Sequence, residues 1–259
     1  MTLPSFLVIG AMKAGSTSLF RWLGEHPKVR LPAEKEPNFF SDDRRYARGR
    51  SWYESLFPEG AVTGEASVGY TDPAVATKAA QRAAALVPSA KLIFLVRDPL
   101  ERMRSHYRHE VQRGREKRTF PEVLSAGGDP YVRLSRYSDA LAPWRAAGEG
   151  RLLIVRFEQL VGPTEDAWRS VLDHLGLAVV PRPAKRHNVT ATKEPYKPLM
   201  RWMYDAGLAR FEKRVPRWVK RLARPLLLGD RPEYASLIAS SEAPVPDHIR
   251  QLLTAQVPT

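Results

Sequence analysis

A chain of 259 residues, 43% of them hydrophobic, can bury a core without covalent staples; it has no cysteine, which excludes disulfides, thiol nucleophiles and thiolate metal sites. A formal net charge of +13 suits polyanionic partners such as nucleic acid, an anionic membrane surface, a polyphosphorylated small molecule or an acidic glycan, and does not rank them. The N-terminus lacks a basic n-region and no run reaches the about 18 apolar residues of a membrane span, so a soluble, cytoplasmic chain is expected.

Ser5–Gly10 is a short apolar run ending in glycine and reads as a buried parallel strand. From Ser16 the apolar residues take helical spacing until His26-Pro27. Ala74–Leu86 is alanine-rich and reads as a helix, Pro88–Ala90 as a turn, and Lys91–Val96 as a second buried strand followed by a helix over Pro99–Glu110. Arg151–Arg156 and Ala167–Leu175 form a third strand and helix. Repeated strand–helix units predict an α/β fold with a central parallel sheet and helices on both faces. Without repeats or low-complexity linkers, residues 1–259 read as one domain. Residues 42–51 and 112–132 are polar, basic and irregular, and suit the lining of a cleft. Residues 181–198 read as a long functional loop, and 199–259 as a helical C-terminal extension. Within it, the basic amphipathic stretch 199–228 reads as a helical cap, with peripheral membrane contact as the other use of such a surface.

The loop Gly10-Ala-Met-Lys-Ala-Gly-Ser-Thr-Ser18 joins the first strand to the first helix and places backbone N–H groups at a helix N-terminus, a ready anion site. Its two glycines have the spacing of a Walker loop, which makes the expected fold P-loop-like. Yet Ser16 stands where a Walker loop has lysine, and the lysine comes three residues earlier, as Lys13. That displacement suits a shorter 5' group than a triphosphate. Arg97, at the end of the second strand, points to where α/β sheets bind ligands, and Ser105 follows two helical turns later. Together they form a second candidate anion site. No metal site is expected.

At these residues the sequence resembles the sulfotransferase superfamily that uses 3'-phosphoadenosine 5'-phosphosulfate (PAPS), in particular its heparan-sulfate-type carbohydrate branch and bacterial relatives. Lys13-Ala-Gly-Ser-Thr-Ser18 is similar to the family's 5'-phosphosulfate loop, which makes Lys13, Ala14, Gly15, Ser16, Thr17 and Ser18 donor-binding residues. Leu95–Tyr107 is similar to its 3'-phosphate motif, carried by Arg97 and Ser105. Glu36-Pro-Asn-Phe-Phe40, Trp52-Tyr53 with Phe57-Pro58, and Gly64-Glu-Ala-Ser67 followed by Tyr70 extend the resemblance. It implies that Glu36 is the catalytic base, with Glu34 and Glu65 as competitors, and that Lys193 and Tyr196 contact the donor from a closing loop. Where the branch carries a lysine after the second glutamate, this chain has Ala66, so one substrate-side charge is missing.

The resemblance implies an enzyme that moves a sulfuryl group from PAPS to a hydroxyl or amine of a carbohydrate or small glycosylated or nucleoside-type molecule, releasing adenosine 3',5'-bisphosphate. Lys13 would stabilise the departing phosphate while Glu36 takes the acceptor's proton. No specific nucleic-acid contact is expected. The rival readings are a P-loop kinase of a small metabolite and a non-enzymatic binder of nucleic acid or acidic glycan.

Overall fold

The computed structural model describes residues 2–60, 62–184 and 233–255. The chain divides into two compact units. The first comprises Met1–Arg102, Arg133–Asn188 and Gln251–Thr259, and the second Met103–Val132 and Val189–Arg250.

The first unit is built on five parallel strands: β1 (Phe6–Gly10), β2 (Val29–Arg30), β3 (Val62–Ala66), β4 (Lys91–Val96) and β5 (Leu152–Arg156), in the spatial order β2-β3-β1-β4-β5. All five residues of β1 are buried, as is β4 after Lys91. Such continuous apolar runs are what a parallel sheet covered by helices requires. The central position of β1 puts the loop that follows it between the ends of β3 and β4.

Helices of the first unit flank this sheet. In chain order the helices of both units are α1 (Ser16–Glu25), the short α2 (Asp43–Tyr46) and α3 (Gly49–Glu54), α4 (Ala76–Leu86), α5 (Pro99–Gln112), α6 (Phe120–Ser125), α7 (Tyr137–Ala147), α8 (Phe157–Leu160) and α9 (Asp166–Leu175). Two further helices, α10 (Tyr234–Ser240) and α11 (Asp247–Thr254), lie in the expected helical extension. The alanines of α4 make a small-residue face, Ala76, Ala79, Ala80 and Ala83 being buried, and that face packs on α7. Trp22 of α1 meets Trp168 of α9 edge to face, with ring centroids 6.3 Å apart.

Residues 42–51, expected to be irregular, contain α2 and the start of α3. Asp42 is the reason α2 can begin there: its carboxylate accepts from the N–H groups of Arg44 and Arg45, satisfying the first turn. Residues 112–132 likewise contain α6, opened by Thr119 and Glu122 as a reciprocal capping box.

The second unit is held by polar contacts from α5. The Tyr107 hydroxyl donates to the Arg118 carbonyl at 2.9 Å, Arg108 donates to Ser241 Oγ at 2.7 Å, and Arg104 reaches the Ala243 carbonyl at 3.3 Å. Burial alone would raise the Glu116 carboxyl, but hydrogen bonds from Arg118 and Tyr131 hold it down at about 2.

Candidate functional site

The strand β1 ends at Gly10 because nothing larger fits: a Cβ there would stand 2.3 Å from Thr71 Oγ1 and 2.8 Å from the Phe94 ring. The chain then leaves the sheet through Ala11, whose N–H bonds the Leu95 carbonyl of β4 at 2.9 Å. Lys13 and Gly15 both take left-handed backbone, at φ 68° and 93°. Gly15 forms the N-cap of α1 and offers no capping side chain, and the first turn contains no acidic residue. Among the described residues, the N–H groups of Gly15, Ser16 and Thr17 have no hydrogen-bond acceptor. Three donors therefore lie at the positive end of a helix dipole, in the loop that carries half-buried Lys13 and Thr17.

The loop is anchored from below. Arg102 has no exposed surface; its Nε–H donates to the Met12 carbonyl at 3.0 Å and its Nη1 to Ser135 Oγ at 2.8 Å. Burial pushes its guanidinium down to about 10, which leaves it charged at neutral pH. A buried cation thus supports the loop and orients the carbonyl preceding Lys13.

Arg97 follows the last residue of β4. Its carbonyl accepts from the Tyr137 hydroxyl at 2.9 Å, which fixes the strand end, and its guanidinium lies 5.4 Å from the Phe157 ring centre and 3.5 Å from Glu101. The same Phe157 ring fills the space beside Gly15. Phe157 therefore brings the loop and Arg97 together, a role that no sequence motif signals because it exists only once β5 is in register with β4. Ser105 belongs to the second unit and is 7% exposed. Lys193 and Tyr196 lie outside the described residues.

The glutamate side is built on β3. Glu65 has no exposed surface, and its carboxylate accepts from the hydroxyls of Tyr53 at 2.6 Å, Tyr70 at 2.5 Å and Ser67 at 2.5 Å. Burial raises the Glu65 carboxyl, opposed by those three hydroxyls and by the charge of Lys35. The two phenols are in turn pushed well up by burial and by the Glu65 charge. With its oxygens occupied and no solvent face, Glu65 anchors the region and offers nothing to an incoming acceptor. Glu34 is exposed.

Glu36 differs from both. Its backbone is left-handed at φ 66° and is locked by neighbours: its N–H donates to the Ala66 carbonyl at 3.1 Å, and its carbonyl accepts from Asn38 at 3.1 Å and Arg45 at 3.0 Å. A non-glycine residue in this conformation is a cost of order 1–3 kcal/mol that the surrounding bonds must sustain. The Glu36 side chain is 40% exposed and pairs with Lys35 at 2.5 Å. Phe39 stacks on Tyr53 at 4.2 Å, which seats the following turn on the same aromatic cluster that holds Glu65. Ser67 closes the connection to β1: its N–H donates to the Val8 carbonyl at 3.1 Å while its Oγ accepts from the Asn38 N–H at 3.0 Å.

Lys13, Glu36 and Arg97 are thus carried by segments at the C-terminal ends of three neighbouring parallel strands or hung from them, the edge where such sheets bind ligands. An anion cradle with a lysine, a second cationic position and a partly exposed carboxylate are the parts required to transfer an anionic group to a protic nucleophile.

Residues 73–181 match the sulfotransferase family. Over 187 residues the chain is 34% identical to mouse heparan sulfate glucosamine 3-O-sulfotransferase 3A1, covering 68% of this chain and 46% of that protein. It is 35% identical over 145 residues to human bifunctional heparan sulfate N-deacetylase/N-sulfotransferase 1, covering 51% of this chain and 16% of the relative. The chain therefore spans about half, or less, of the length of these curated relatives. Among solved structures, a sulfotransferase from Alicyclobacillus acidocaldarius superposes with a TM-score of 0.63 at 26% identity, covering 81% of this chain and 93% of that one.

Proposed function

The chain belongs to the PAPS-dependent sulfotransferase superfamily, and from that premise we propose that it transfers a sulfuryl group from PAPS to a hydroxyl or amine, with a carbohydrate as the acceptor class. The observation that carries this reading is the donor loop. Its N–H groups at Gly15, Ser16 and Thr17, which have no acceptor among the described residues, and the lysine at position 13 suit a 5'-phosphosulfate. Arg97, shared with the loop through Phe157, suits the 3' phosphate.

PAPS supplies an activated sulfuryl group whose leaving group is a phosphate. The chain's own residues do the rest. Lys13 and the loop N–H groups hold negative charge at the leaving oxygen, worth most where water is excluded. Arg97 fixes the far end of the nucleotide, so that orientation is settled before reaction. Glu36 accepts the acceptor's proton at its carboxylate. Glu65 and its three hydroxyl donors hold Tyr53, on which Phe39 of the turn after Glu36 stacks.

The acceptor class rests on the relatives, whose names specify heparan sulfate. Ala66 removes a charge that the resemblance expects beside the acceptor, so this chain suits a less anionic sugar. The test is thermal stabilisation by adenosine 3',5'-bisphosphate against Mg-ATP, followed by transfer of radiolabelled sulfate from PAPS to heparan sulfate, glucosamine and p-nitrophenol. Stabilisation by the bisphosphate and loss of transfer in Lys13→Ala are expected. Stabilisation by Mg-ATP alone would point to a kinase and overturn the reading.

A further inference from the structure

Glu36 has two carboxylate oxygens in different situations. Oε1 is 2.5 Å from Lys35 Nζ, whereas among the described residues Oε2 takes no hydrogen bond. The Glu36 backbone is immobilised by Ala66, Asn38 and Arg45, so only its side-chain torsions remain to be set. Lys35 is the group that sets them. Its side chain is 17% exposed against 40% for its partner, so the cation is the more enclosed member of the pair. The carboxyl of the wholly buried Glu65 also feels the Lys35 charge. Lys35 is therefore paired with a carboxylate that is open to solvent.

Resting on the sulfotransferase reading, we propose that Lys35 is the positioning residue of the base: its ammonium clamps Glu36 Oε1 and reserves Oε2 for the acceptor's proton. In the transfer step the acceptor's oxygen or nitrogen forms the new bond to sulfur and gives its proton to Oε2. The bond between sulfur and the bridging oxygen breaks, and its electron pair stays on the 5' phosphate of adenosine 3',5'-bisphosphate. An ion pair this exposed contributes little to stability. Its value lies in orientation, where misplacing a reacting group by about 1 Å costs roughly a hundredfold.

The experiment compares wild type, Lys35→Met, Lys35→Arg, Glu36→Gln and the Lys35→Met/Glu36→Gln double variant. The readout is sulfate transfer from PAPS to the first of heparan sulfate, glucosamine or p-nitrophenol that the wild type modifies. Release of sulfate from PAPS to water is measured in parallel, so that a rate exists whatever the panel yields. Lys35→Met should lower kcat by about tenfold to a hundredfold, with adenosine 3',5'-bisphosphate binding unchanged. Lys35→Arg should recover most of that loss, because it keeps a cation at Oε1. The double variant should be no slower than Glu36→Gln alone, as expected of residues that act as a unit. Unchanged kcat in Lys35→Met, or a loss that appears in the acceptor KM and adds to that of Glu36→Gln, would overturn the positioning role and leave the transferase intact. A wild type that neither transfers sulfate to the panel nor releases it from PAPS would overturn the sulfotransferase reading itself.

Discussion

The ring of Phe157 occupies the space that a Cβ on Gly15 would need, its nearest carbon 2.4 Å from that position. Because Gly15 also has φ 93°, a side chain there meets two obstacles. The left-handed backbone costs an L-residue about 1–2 kcal/mol, and the ring that also meets Arg97 must shift. Gly15→Ala is expected to lower the melting temperature and to abolish stabilisation by adenosine 3',5'-bisphosphate. Adding Phe157→Ala should return room without returning the backbone preference, so only part of the stability should recover. A Gly15→Ala protein that melts and binds like the parent would show that the ring does not set the loop.

Arg102 is the second support of the loop, through the Met12 carbonyl and Ser135. Arg102→Met leaves both acceptors without this donor in a buried setting, at about 1–3 kcal/mol for each unsatisfied group. Arg102→Lys keeps a charge, but a single ammonium cannot reproduce the planar fork. Denaturant unfolding should rank wild type above Arg102→Lys and that above Arg102→Met, and affinity for adenosine 3',5'-bisphosphate should follow the same order. Affinity unchanged in both variants would separate Arg102 from the donor site.

Glu36→Gln tests the base. The amide keeps the size and cannot take a proton, so kcat should fall by about a hundredfold to ten-thousandfold while nucleotide binding stays at the wild-type level. A variant that transfers sulfate at the parent rate would shift the role to another group.

Glu65 makes stability depend on pH. Burial raises its carboxyl above the unfolded value of 4.5, so between 4.5 and the folded value the native state holds the proton that the unfolded state has lost. Stability contributed by the protonated form is complete below 4.5 and is lost as pH rises through the folded value. Gln at position 65 does not titrate. The melting temperature of wild type minus that of Glu65→Gln should therefore fall as pH rises across that window and then level off. A difference that grows with pH would mean that the three hydroxyls and Lys35 outweigh burial.

The sequence made β1 and β4 legible because both are unbroken apolar runs. It concealed β3, whose residues Val62-Thr-Gly-Glu-Ala66 include a glutamate that no hydropathy pattern places in a core. Glu65 is tolerable there only because Tyr53, Ser67 and Tyr70 converge on it, and Gly64 is required because the Phe6 ring lies 2.4 Å from where its Cβ would be. The candidate site shows the same division. Lys13, Arg97 and Glu36 announce themselves through local motifs, whereas Phe157, Arg102 and Lys35 act through contacts made after folding.

The register of the parallel strands bears on how reaction geometry is inherited. Val8 of β1 pairs with Ala66 on one side and Ile93 on the other, the register with β4 shifting between Val8 and Gly10, and the ends of these strands carry the Glu36 turn, the Gly10–Ser18 loop and Arg97. A slip of one residue would displace a strand end by about 3.3 Å, well beyond what group transfer tolerates. The ladder thus serves as a ruler graduated in peptide units. Under the proposed transfer, substitutions in the surrounding loops would leave the spacing between Glu36 and the Lys13 loop to the ladder.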